Sequence, residues 1–106
     1  MNDVLKYYLE LVDECERFDK KGKTVPYTSA NGHMFSVINK EGQLGMRFSN
    51  AVQEKYFEKY KTSNFISHGS IMKGYILITD EMFADKDNLV GLLNESYDYV
   101  MSLEPK

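Results

Sequence analysis

The sequence predicts an α+β domain, an antiparallel sheet with flanking helices in the order α-β-β-β-α-β-α. Two short apolar runs, His33–Ile38 and Gln43–Phe48, flank the polar turn Asn39–Gly42, which is a hairpin pattern. Apolar residues recur at spacings of three and four near both ends of the chain, as amphipathic helices require. Helices laid over hairpin strands give an α+β domain rather than a doubly wound one. The 106 residues, 42% of them hydrophobic, suit a single domain over 1–106 that folds without disulfides or metal.

The first helix is expected over Asp3–Lys21. Val4, Tyr8, Leu11, Val12, Cys15 and Phe18 form its stripe, and Asn2 or Asp3 can cap its start. Asp13 with Arg17 and Glu16 with Lys20 are i,i+4 pairs with the acid first. Lys20 and Lys21 suit the negative end of the helix dipole, and Gly22 can end it. Thr24–Ala30 is β-prone, but Pro26 confines it to an edge or a strand start. Asn31-Gly32 is a tight-turn signal that folds it back on His33–Ile38. In the next strand Leu44, Met46 and Phe48 share one face, while Gln43, Gly45 and Arg47 share the other.

A second helix is expected over Ser49–Tyr60, with Asn50 and Gln53 as a capping box and Val52, Tyr56, Phe57 and Tyr60 as its stripe. Lys61–Asn64 reads as a loop, and Phe65–Gly69 is open between strand and loop. Ile71–Thr79 reads as a strand covered on both faces near Ile76-Leu77-Ile78. Asp80–Asp87 is an acidic loop ending in two candidate caps, Asp85 and Asp87. The last helix runs to about Ser102, with Leu89, Leu93, Tyr97 and Val100 on one stripe, Val90 and Met101 beside it, and Pro105 beyond.

The net charge of −3 argues against a dedicated nucleic-acid binder, whose affinity rests on a basic face. The longest wholly apolar stretches are near four residues, as in Tyr75–Ile78, too short for a membrane helix. The lone Cys15 fits a reducing compartment, and no export signal opens the chain, so a cytoplasmic location is expected. Cys15 lies on an apolar stripe and reads as a small buried hydrophobe. His33, His68 and Cys15 lack metal-ligand spacing, and no metal or cofactor is expected. Gly22-Lys23-Thr24 resembles the tail of a P-loop, but Arg17 stands where that motif needs its first Gly. Asp80, Glu81, Asp85 and Asp87 lack the order of a calcium loop and read as caps. Ser67-His68 adjacency does not make a nucleophile and its base. Arg17, Lys20, Lys21 and Lys23 form a basic cluster best read as a solvated helix end.

Three residues are candidates for ligand binding. Arg47 points away from the packed side of its strand, and Lys73 sits between Met72 and Gly74. With Tyr27 or Tyr75 they would hold an anion if they converged on one concave face. The plain alternative is that Arg47 and Lys73 solvate an exposed sheet face or pair with helix acids.

Asn31-Gly32-His33-Met34-Phe35, Leu44-Gly45-Met46-Arg47-Phe48 and Met72-Lys73-Gly74-Tyr75-Ile76-Leu77-Ile78, with a closing helix before Ser102–Lys106, resemble the TfoX N-terminal domain family. The order and spacing of these segments carry the resemblance over about Asp3–Lys106. It implies a small α+β domain linked to regulation of natural competence, with no set of catalytic residues. The chain differs where the family shows Met-Phe-Gly-Gly, having Lys23-Thr24-Val25-Pro26 near that place. Competence regulators also carry a second, C-terminal domain beyond such a unit.

The function expected is therefore non-enzymatic and regulatory, through a protein partner or a homodimer paired across an exposed strand such as Thr24–Ala30, within the limit Pro26 sets, with no membrane and, for this domain alone, no nucleic acid. The alternative is a binder of an anionic small molecule, or an enzyme, with a cleft near Arg47 and Lys73.

Overall fold

The computed structural model describes residues 3–15, 26–39, 41–67 and 69–105. They form α1 (Asp3–Glu14), β1 (Tyr27–Ala30), β2 (His33–Ile38), β3 (Leu44–Arg47), α2 (Asn50–Lys59), β4 (Asn64–Ser67), β5 (Ser70–Leu77) and α3 (Lys86–Met101), with a single 3-10 turn at Met82–Ala84. The five strands make one antiparallel sheet in the order β1-β2-β3-β5-β4. The domain is α+β, as its sequence predicts. Most of Phe65–Gly69, ambiguous between strand and loop in the sequence, pairs as part of β4.

All three helices contribute to one core against one face of the sheet. Tyr8, Leu11, Tyr56, Leu89, Leu93 and Val100 meet Leu44, Met46, Phe48 and Ile76 there. The period of two in β3 is the reason: it sends Leu44, Met46 and Phe48 to the helices, and each is 1% exposed or less. Ile76 and Ile78 are likewise buried, and Leu77 between them is half-buried on the opposite face, so both faces of this segment are covered.

Hydroxyls tie the layers together. Tyr8 of α1 hydrogen-bonds Ser36 of β2 at 2.6 Å, and Ser36 hydrogen-bonds Thr28 of β1. Burial pushes the Tyr8 phenol up to about 12, although its hydroxyl partners pull the other way. Ser96 of α3 donates to the carbonyls of Arg47 at 2.5 Å and Phe35 at 3.1 Å. These carbonyls lie just beyond Ser36 and Met46, where the β2–β3 register ends.

Several boundaries differ from the pattern in the sequence. The described helix α1 stops at Glu14, with the Cys15 N–H bonded to the Val12 carbonyl, and Cys15 is buried. The expected continuation to Lys21, its ion pairs and the basic cluster lie outside the described residues, as do Thr24, Val25 and His68. Ser49, not Asn50, caps α2, its Oγ accepting from the Val52 N–H. Gln53 instead turns back to the Phe48 carbonyl. Asp85 caps α3, and Asp87 falls inside its first turn. On α3 the buried stripe is Leu89, Leu92, Leu93, Ser96 and Val100, while Met101 is exposed.

Alternation also fails in two strands, each at a bulge. Thr28 faces Ser36 but Ser29 faces Met34, so Phe35 is an extra residue in β2. Phe35 joins the helix-side core, while Met34 packs on the other side. In β5 the register runs from Ile76 to Ile71 while β4 advances only from Asn64 to Ile66. Gly74, at φ 94°, supplies the left-handed conformation within that bulge.

Candidate functional site

The side of the sheet turned away from the three described helices carries its own small cluster. Val37, Phe65 and Tyr75 are buried there, with Tyr27, Met34, Met72 and Leu77 half-buried around them. Tyr27, Val37, Gly45 and Leu77 stand opposite one another across four strands, and so share this face. The Phe65 ring rests on Gly45: a Cβ added there would lie 2.5 Å from its carbons. Asn39, in the β2–β3 turn, donates from Nδ2 to the Ile66 carbonyl at 2.8 Å. The tip of the β4–β5 hairpin therefore folds back over the sheet as a flap, and the Gly74 bulge gives the bend.

The three ligand-binding candidates do not converge on one site. Arg47 stands opposite Tyr75 in the β3–β5 register. Its guanidinium carbon lies 5.8 Å from the centroid of the Tyr99 ring, a cation–π contact from α3. Its side chain runs alongside Gly74, at van der Waals distance from where a Cβ would stand. Tyr75 donates to the Met34 carbonyl at 2.7 Å. Burial raises the Tyr75 phenol, and the charge of Arg47 opposes that shift. Half-buried Arg47 has no carboxylate at ion-pair distance among the described residues. Lys73 is exposed, next to Gly74 in the bulge. Tyr27 lies on β1, two strands from Arg47 in the sheet order. The clefts described on the surface are lined by other residues.

The outward side of the flap is apolar. Ile66 and Ile71 stand directly opposite each other on β4 and β5, and are 50% and 59% exposed. They are the most exposed large hydrophobics among the described residues. From Thr62 to Met72 the chain has no Asp, Glu, Lys or Arg, although 27% of the whole chain is charged. Natural sheets usually protect such strands with a charge or a proline. This uncharged run between Lys61 and Lys73 is the sequence signal for the surface. Residue pattern alone does not reveal it, because a surface of this kind needs Phe65–Gly69 to be placed in a strand first.

No helix among the described residues is long and apolar enough to cross a membrane. No family model matches the chain, and no curated protein matches it.

Proposed function

We propose that this domain acts non-enzymatically, by associating with a second copy of itself through the outer face of the β4–β5 hairpin. The observation that carries the reading is the cross-strand pair Ile66 and Ile71, half-exposed on an uncharged hairpin. Apolar side chains gain about 25 cal/mol for each Å² removed from water. An uncharged surface makes no electrostatic demand on its partner, so a copy of itself meets it without repulsion. Across a two-fold axis Ile66 of one protomer would pack on Ile71 of the other, and the reverse. Two isoleucines on each side make a small interface, so the association is weak and depends on concentration. A regulatory role of the kind the TfoX N-terminal resemblance implies, and a cytoplasmic location, are part of this proposal. Sedimentation velocity over rising concentration tests it: a weight-average mass that climbs toward the dimer supports it, and one fixed at the monomer overturns it.

A second reading rests on Arg47. A half-buried guanidinium held between Tyr75 and Tyr99 without a carboxylate partner has donors to spare for an anion. In this reading Arg47 grips a small carboxylate or phosphate, with Lys73 adding charge nearby, while Tyr27, two strands away, takes no part. Titration with inorganic phosphate, followed at the Arg47 and Lys73 amides by NMR, tests it. Saturable shifts that vanish in Arg47→Gln support it, and unchanged spectra exclude it.

A further inference from the structure

A cleft of about 350 Å³ separates the end of α2 from the start of α3. Lys59, Tyr60 and Lys61 at the end of α2, with Glu81, Met82, Asp85 and Asn88 around the start of α3, line it. Lys61 takes φ 53°, which ends α2 sharply and leaves this lysine at the rim. Met82 is buried at the base. Tyr60 accepts from Asn88 Nδ2 at 3.1 Å, so its own hydroxyl proton remains free to donate.

The charges set this cleft apart. Two ammonium groups and two carboxylates line it, and none of the four closes an ion pair among the described residues. The described ion pairs are those of Lys86 with Glu10 and Glu14, none of which lines the cleft. Lys59 holds its ammonium 5.3 Å from the centroid of the Tyr60 ring instead. Asp85 accepts from the Asn88 N–H as a cap and keeps further acceptor positions. The four charges cancel, so the site favours a ligand that is neutral overall but carries both signs. Opposite charges that line one cleft without pairing suit a molecule that carries both signs.

We propose that this cleft binds a small zwitterion of dipeptide size, its carboxylate toward Lys59 and Lys61 and its ammonium toward Glu81 and Asp85. The Tyr60 hydroxyl and the Asn88 side chain would meet the peptide group between them. The volume falls at the lower end of the range of small-molecule pockets. The proposal is independent of the hairpin surface.

The test is an NMR titration of the labelled protein with glycylglycine, N-acetylglycylglycine and glycylglycinamide. Glycylglycine is expected to shift the Lys61, Met82 and Asn88 amides saturably. Removing either terminal charge forfeits one set of charge-assisted contacts, so each blocked peptide should bind about tenfold more weakly. Lys61→Gln and Glu81→Gln, both exposed positions that leave the fold intact, should each weaken glycylglycine by a similar factor. Shifts that do not saturate, blocked peptides that bind equally well, or variants that change nothing would overturn the proposal.

Discussion

Tyr8 shows how one buried hydroxyl sets a measurable property. Its phenol ionises near pH 10 in an unfolded chain and near 12 in the folded one. Stability from its neutral, buried form is therefore complete below pH 10 and is lost as pH rises toward 12. The displaced ionisation corresponds to about 3 kcal/mol of stability lost across that window. Burial shifts Tyr56 and Tyr75 in the same direction, so the domain should unfold readily in alkali. Denaturant melts at pH 8 and pH 11.5 should show this loss, and Tyr8→Phe should show a smaller one. An equal loss in the variant would remove Tyr8 from the explanation. Ser96 is the second residue of this kind. Ser96→Ala removes the hydroxyl that donates to the Arg47 carbonyl and should cost about 1–3 kcal/mol in a urea titration.

At the scale of elements, Gly45 and Gly91 give opposite expectations. Gly45→Ala forces a Cβ into the Phe65 ring and should lift the flap from the sheet, costing about 1–3 kcal/mol. Gly91 lies in α3 with open space where its Cβ would stand. Gly91→Ala should therefore stabilise the helix by up to about 1 kcal/mol. Thermal melts of the two variants should move in opposite directions from the parent. The β1–β2 turn also reaches α3. Asn31 takes φ 57° beside Gly32 at 81°, as a two-residue hairpin turn requires. Its Nδ2 donates to the carbonyls of Val100 and Leu103 at the end of that helix. The turn is legible in Asn31-Gly32, but this capping role is not, because it joins residues far apart in the chain. The same limit explains the bulges. Leu44, Met46 and Phe48 can be read by alternation because β3 is regular. Phe35 and Met72 cannot, since an extra residue reverses the face of everything beyond it. Ser96 is equally hidden, because a hydroxyl among leucines looks merely polar until its carbonyl partners are in place.

Across the whole molecule, the helices commit to one side of the sheet and the flap covers part of the other. Arg47 is legible as a residue off the helix-packed side, yet its distance from Tyr27, two strands away, depends on strand order, which local pattern does not give. Ile66 and Ile71 become informative only once the register places them opposite each other. The proposed association needs both side chains and asks nothing of the core. Ile66→Thr with Ile71→Thr, a cross-strand pair that sheets accept, should therefore leave the thermal midpoint nearly unchanged, because exposed substitutions usually stay within about 0.5 kcal/mol. The most direct test is sedimentation velocity of the parent and this double variant over the same concentration series. The parent should move toward the dimer as concentration rises while the variant stays monomeric. A parent that remains a monomer throughout, or a variant that associates as the parent does, would contradict self-association through the hairpin.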